Sequence, residues 1–342
     1  MAKHTTISRY LSKNFQSSFL TIFLPLFFIG SLVFIIKVSS LTASIQISFI
    51  EMMQLFGYHL PIILFYTLPI SFLIALTVTL LRLSNENELM ALFALGTNAK
   101  NLLLRFFLIA SLFSVVLLIL SLGLMPKTKQ QFKAFQHQKT AQAHLNINPS
   151  KLGQKFGDLF VYVKSKEGTV MKDIVIFKKD TPHSNQLFIA KKANLANEDS
   201  IITLTLQDGS GYTFTKDALK KADYETMRVF KNFNANAFTY NNLLQYWSNI
   251  LNNPKKKSEI YFFIFMSLFP ILSLSIIASF AIINPRYQKN YAYQVLAITT
   301  VALYGIALIL KTKGTAIIVL TLVSLILLLG FYLYKRLVLR YF

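Results

Sequence analysis

Six apolar runs, at about 15–36, 56–81, 101–125, 260–283, 292–310 and 315–334, constrain this chain more than any other feature. Each approaches the roughly 20 residues needed to cross the hydrocarbon core of a bilayer. In lipid the backbone must satisfy its own N–H and C=O groups, and over such lengths only a helix does so. Six transmembrane helices follow. The prolines at 25, 61, 69 and 270 fall within the runs, where they are tolerated and can kink a helix. Composition agrees, since 54% of the residues are hydrophobic and the mean hydropathy is +0.49.

Between the third and fourth runs the pattern changes. Residues 127–257 are polar and carry short alternating stretches: "DLFVYV", "DIVIFKK", "QLFIAKKA" and "SIITLTLQDGSGYTFT". β-branched and aromatic residues at period two, broken by Asp-Gly and Gly-Tyr turns, predict a compact antiparallel β domain. A segment of this length can bury a core. With no cysteine in the chain, packing alone must hold it. Phe160, Tyr162, Ile174, Ile176, Phe188 and Ile201 are the expected interior residues. Residues from Met125 to about His144 read as a helical stalk leaving the third span, and "NNLLQYWSNI" reads as a return helix. The expected organisation is therefore 1–126 for three spans, 127–257 for the β domain with helical flanks, and 258–342 for three more spans.

The chain holds 35 Lys plus Arg against 14 Asp plus Glu, a net charge of +21. Nucleic acid and anionic lipid both attract such a charge, and the spans favour lipid. Lys3, Arg9 and Lys13 precede the first span; Arg82, Lys100 and Arg105 flank the second connection. Arg286 and Lys289 follow the fourth span, and Lys335, Arg336 and Arg340 follow the sixth. Six crossings put all of these on one side, which the distribution of Lys and Arg in short connections marks as the cytoplasm. The β domain is then exported; its own basic residues do not oppose this, because long loops translocate largely regardless of charge. The basic start "MAKHTTISRYLSKNF" is followed by no small-residue cleavage site, so the first run reads as a retained span.

Catalytic chemistry has little support. No G-x-x-x-x-G-K-[ST] loop is present, so ATP hydrolysis is not expected on this chain, and no cofactor is expected either. No H-E-x-x-H or comparable metal spacing occurs; His137 and His144 could share a helix face, but a pair without a third ligand reads as solvated surface. The spans are nearly free of acids, which disfavours an ion-coupled transporter built on intramembrane carboxylates.

One short connection stands apart. "NENELMALFALGTN", residues 85–98, joins the second and third spans and places two acids between apolar runs. Asn85 followed by Glu88 predicts a capping box, and Glu86 and Glu88 both suit the positive end of a helix. Leu89, Leu92 and Phe93 fall at helical spacing, and Leu95 and Gly96 end the pattern. A small interfacial helix and a helix that docks on a partner are both compatible with these residues.

The pattern E-[LI]-x-x-[LM]-x-A-x-G, carried by Glu88, Leu89, Leu92, Ala94 and Gly96, resembles the coupling helix of the LptF/LptG permease family. "ISRYL" before the first span, "INPR" at Ile283–Arg286 after the fourth, and the β domain between spans three and four agree with that family. "NPR" is closer to LptF than to LptG. The resemblance implies a six-helix half-transporter with a periplasmic β-jellyroll domain, a coupling helix at about 84–96 and a place in the bacterial inner membrane. It implies a paralogous permease subunit as partner, a separate ATPase dimer (LptB-like), and a periplasmic bridge of similar β domains (LptC/LptA-like). Lipopolysaccharide would be the cargo, and nucleic acid no partner. Glu88 matches the glutamate that contacts the ATPase in the family, and Lys37 matches a basic position implicated in contacting lipid phosphate.

The residues suit such a cargo. A lipid bearing phosphates and several acyl chains needs apolar walls and a cationic rim at headgroup level. Lys37, closing the first apolar run in "VFIIKVSS", and Lys311 and Lys313, between the fifth and sixth runs, lie at the outer level and are candidate phosphate contacts. Each could equally be a snorkelling lysine at a helix end. A membrane scaffold whose outer domain binds a partner without moving lipid is the alternative function.

Overall fold

The computed structural model describes residues 2–42, 47–145, 154–156, 159–167, 170–181, 184–198, 201–215, 218–232, 240–251 and 253–341. They divide into a helical unit, Met1–Ser39, Phe49–Phe132 and Asn241–Phe342, and a second unit, Ser40–Ser48 and Lys133–Tyr240.

The helical unit begins with α1 (Ala2–Thr42) and α2 (Phe49–Asn85), followed by the short α3 (Glu88–Ala94). Next, α4 (Ala99–Leu118) runs through a π-helical segment, Ile119–Leu124, into α5 (Met125–Leu145). After the β strands come α6 (Leu243–Leu251), α7 (Pro254–Ser267), α8 (Phe269–Ala281), α9 (Ala292–Lys313) and α10 (Ala316–Leu337). Among the described residues five stretches are long and apolar enough to cross a membrane, and α7 with α8, bent by 42°, counts as a sixth when the pair is taken as one span. The bend has a local cause. Pro270 has no N–H for the carbonyl of Met266, and its ring crowds that turn, so the helix breaks at Leu268 and restarts.

The spans differ in how much of each is covered. In α2, 61% of the most apolar window is buried, against 11% in α1. α2 and α8 occupy the centre, and α8 packs on α2, α4, α9 and α10. Gly330 lets α10 approach α8 closely: a Cβ there would meet Ser275 Cβ at 3.0 Å. Small residues at such crossings take the place of a hydrophobic driving force, which is absent between helices in lipid.

The second unit carries a six-stranded antiparallel sheet whose strands keep chain order: β1 (Gln154–Phe156), β2 (Leu159–Glu167), β3 (Val170–Thr181), β4 (Ser184–Glu198), β5 (Ile201–Thr215) and β6 (Leu219–Asn232). Among the described residues its core is built from strand residues, with Val163, Met171, Ile174, Ile176, Leu204 and Leu206 fully buried.

One row across the sheet marks where the facing changes. The ladder omits the pairs 164–173, 173–191, 191–208 and 208–225, one from each of four successive strand pairings. Asp173 and Asp208, on this row, have left-handed backbones with φ of 51° each. Aspartate tolerates that region better than most residues because its short polar side chain bonds locally. At the row two successive residues face outward, so Met171 and Ile174 are both buried, as are Ala190 and Ala193. Lys164 pairs with Asp173 at 3.5 Å. At the hairpin beyond, Lys172 donates to Glu167 at 2.8 Å and holds that carboxyl below the usual range.

The sheet corrects part of the expected interior. Ile174 and Ile176 are in the core, and Phe188 packs against it. Phe160 is 41% exposed, on the opposite face with Tyr162, because Leu159, Val161 and Val163 take the inward positions of β2. Alternation gives two faces but does not say which is covered. The side chains of Ile201, His137 and His144 lie outside the described residues.

Candidate functional site

One end of the helical unit carries the start of α1 and the end of α10. Here α2 passes into α3 through a tight turn, with Glu86 N donating to Arg82 O at 2.9 Å and Asn87 N to Ser84 O at 3.0 Å. Asn87 is left-handed with φ 58°, and no side chain caps the helix. This corrects the expected capping box: Asn85 is the last residue of α2, and Glu88 is the first of α3. Its carboxylate is therefore not folded back on the backbone. It accepts a hydrogen bond from the Tyr10 hydroxyl at 2.6 Å. The other end of α3 follows the expectation. Gly96 has φ +86°, Gly96 N donates to Phe93 O, and Thr97 N donates to Leu92 O. These are the two bonds of a Schellman motif, whose left-handed residue favours glycine.

The five residues of the α3 pattern divide by role. Leu89 is fully buried in the main core, and Leu92 packs against it half-buried. Glu88 is half-buried, while Ala94 and Gly96 are exposed, next to Leu95 at 64% exposure. Leu89 thus anchors the helix, and the face left open is Ala91, Ala94, Leu95 and Gly96.

Hydrogen bonds at this end tie α3 to α1 through Glu88, and the last turn of α2, which leads into α3, to α1 and to the end of α8. Arg82 Nη2 donates to Asn14 Oδ1 at 2.7 Å, beside the Tyr10–Glu88 bond. Ser84, buried, donates to Ala281 O at 2.7 Å and accepts from Ile283 N at 3.3 Å. In the loop that follows, Asn284 Oδ1 accepts from Arg286 N at 3.2 Å. Three separate stretches of sequence therefore meet here: "ISRYL" supplies Tyr10 and the buried Leu11, the α3 pattern supplies Glu88, and "INPR" supplies Ile283. The partners Tyr10 and Ser84 were not legible as site residues, although Tyr10 lies within a quoted motif.

At the opposite end of the unit the groups are cationic and aromatic. Lys37 is exposed on α1. The His59 ring stacks on Phe34 at 4.2 Å and lies within electrostatic reach of Lys37 and Lys129. Lys129 Nζ sits 5.2 Å over the Phe263 ring, and Lys311 Nζ sits 5.6 Å over Phe262. The Phe262 and Phe263 rings are 5.5 Å apart, so the two lysines flank one aromatic pair. Ser258 donates to Lys311 O at 2.7 Å and fixes the end of α9. Lys313 is exposed, with no described contact to this group. Lys129 and Lys311 thus meet on one aromatic pair, and His59 stacks on Phe34 of the same helix as Lys37. His59 and Lys129 are additions; Lys129 had the same signal as Lys37, a lysine just past an apolar run.

Among the described residues no group of three His, Cys, Asp or Glu could hold a metal. The model of the lipopolysaccharide export system permease LptF/LptG family matches residues 9–336, nearly the whole chain. The chain belongs to the LptF/LptG family. It is a multi-pass membrane protein of that permease family, and the family's subunit is a permease, not a catalytic one. A comparison with curated proteins gave no match. The match begins at Arg9, inside "ISRYL", and spans the α3 pattern, the β unit and "INPR".

Proposed function

We propose that this chain is the transmembrane permease subunit of an ABC transporter in the bacterial inner membrane, extracting lipopolysaccharide from the outer leaflet. It pairs with a paralogous LptF/LptG subunit, is driven by a separate ATPase dimer of LptB type, and hands the lipid to a periplasmic bridge of LptC/LptA-like β domains. The end bearing α3 faces the cytoplasm and the β unit lies in the periplasm, as the Lys and Arg distribution favours. The observation that carries the reading is the convergence of "ISRYL", the α3 pattern and "INPR" on one end of the helical unit.

In this reading α3 is the coupling helix. Leu89 roots it in the core, Ser84 ties its base to the end of α8, and Tyr10 holds the Glu88 carboxylate. Ala94 and Gly96 leave room for a partner's surface next to Leu95. A movement imposed on α3 by the ATPase is then passed to α1 and α8 through directional bonds. Lys37, Lys311 and Lys313 serve the phosphates of the cargo, joined by His59 and Lys129. The exposed apolar side of α1, with Phe28, Ile29, Leu32 and Val33, faces lipid chains or the paired subunit.

The test is co-purification of the ATPase with a Glu88→Lys chain expressed beside its partners. The expected result is loss of the ATPase from a chain that still inserts and pairs. Undiminished co-purification together with undiminished lipopolysaccharide export would remove the coupling role.

A further inference from the structure

A second cationic feature lies at the α3-bearing end, on the side of the unit formed by α4 and α10. The start of α4 and the end of α10 are fastened there by Tyr334, buried, whose hydroxyl donates to Ala99 O at 2.7 Å. Beside that bond opens a cavity of about 880 Å³ whose lining includes Lys100, Lys335, Arg336 and Arg340. None of its lining residues is acidic among the described residues. A smaller cavity of about 240 Å³ shares Lys100, Phe331 and Leu339 with it and continues along apolar side chains, including Leu104 and Phe107. Leu104, Phe107 and Phe331 are exposed on spans, so in a membrane their environment is acyl chain.

We infer that this cavity binds an anionic phospholipid of the cytoplasmic leaflet, its phosphate among Lys100, Lys335, Arg336 and Arg340 and an acyl chain along Leu104, Phe107 and Phe331. The leaflet rests on the orientation proposed above; the ligand chemistry does not. Four cations with no acidic residue among the described lining make a field that an anion relieves. Arg336 is held at 3.5 Å from the Tyr332 hydroxyl, which keeps its guanidinium at the rim. The start of α4 adds the positive end of its dipole. A soluble anion would satisfy the cations but not the apolar continuation, and a protein loop would have to enter at bilayer depth. A lipid satisfies both. The site is separate from the Lys37 and Lys311 group, which lies on α1 and α9 at the other end of the helical unit.

Its consequence is a fastening of α10 to α4 by a lipid, reinforcing the Tyr334 bond. Lipid retention would then steady the face of the unit adjoining α8, to which Ser84 and the coupling helix are tied.

Native mass spectrometry of the full chain, purified in mild detergent with phosphatidylglycerol or phosphatidylcholine added at equal mole fraction, tests this. The expected result is preferential retention of phosphatidylglycerol. Each removed charge should weaken retention about fivefold, so Lys100→Ala with Arg336→Ala lowers it more than tenfold. Arg336→Lys should keep most of it, which separates loss of charge from loss of fold. Phe331→Ala should weaken phosphatidylglycerol without altering any competition by inorganic phosphate. Equal retention of the two lipids, or an unaffected double variant with an unchanged melting curve, overturns the inference. So does displacement of the lipid by millimolar inorganic phosphate, which would make this a soluble-anion site. The assay contains neither ATPase nor lipopolysaccharide, so its failure leaves the export reading standing, and failure of that reading leaves lipid retention measurable.

Discussion

The candidate functional side chains at the two ends of the helical unit meet their neighbours in different ways. At the α3-bearing end the contacts are directional: Tyr10 to Glu88, Ser84 to Ala281, Tyr334 to Ala99, each at 2.6–2.7 Å. At the opposite end the side chains around the candidate lysines meet through soft contacts, His59 stacked on Phe34 and Lys129 and Lys311 over the Phe262–Phe263 pair, while Ser258 still bonds the Lys311 carbonyl at 2.7 Å. Hydrogen bonds between fixed groups weaken steeply with misalignment and so transmit a displacement. Stacking and cation–π contacts tolerate shifts of an ångström or more, because they depend on ring centroids over several ångströms. The end with the hard contacts suits the passing of force, and the end with soft contacts suits a cargo of variable shape.

The largest expected effect tests whether α3 is rooted at all. Leu89→Ala empties a fully buried site, and large-to-small changes of this kind cost about 2–5 kcal/mol. A thermal melt of the purified chain in detergent should fall by several degrees; a change within error would mean that α3 is held by Glu88 alone. Tyr334→Phe comes next. It leaves the Ala99 carbonyl without its buried donor, at a cost of about 1–3 kcal/mol read from the same melt.

Tyr10→Phe should cost about 1 kcal/mol or less, since its bond is exposed. Its sharper effect is on coupling: ATPase turnover stimulated by lipopolysaccharide should drop severalfold while basal turnover and subunit pairing stay unchanged. An equal drop in both would make Tyr10 a plain packing residue. Lys129→Ala should be smallest in stability, about 0.5–1 kcal/mol from the lost contact with Phe263. Capture of lipopolysaccharide by a photo-crosslinker at position 37 should nevertheless weaken. If Lys129→Ala lowers the melt as far as Tyr334→Phe, the contrast between the two ends disappears.

Periodicity and length made most of the architecture readable. Each of the six runs became helix, five of them long and apolar enough to span and the fourth divided between α7 and α8; the stalk from Met125 became α5, and "NNLLQYWSNI" became α6. Gly96 ended α3 as its residue type requires. What failed to be readable depended on which neighbour a side chain met. Asn85 and Glu88 have capping-box spacing, but α2 runs through Asn85, so Glu88 begins the next helix and turns to Tyr10, 78 positions away. Phe160 and Tyr162 alternate like core residues, yet β2 presents Val161 and Val163 inward.

The row through Lys164, Asp173, Lys191, Asp208 and Glu225 belongs to the same class. Each residue is an ordinary surface charge in its own strand, and only the register of five strands lines them up. By itself the sequence determined that this chain spans a membrane and carries an antiparallel domain, because apolar length and alternation are local properties that lipid and sheet geometry read directly. Only tertiary structure decided that Glu88 answers to Tyr10, that Lys129 and Lys311 flank the Phe262–Phe263 pair, and that four cations line one cavity. Those depend on contacts between segments tens to hundreds of residues apart, which no local pattern encodes.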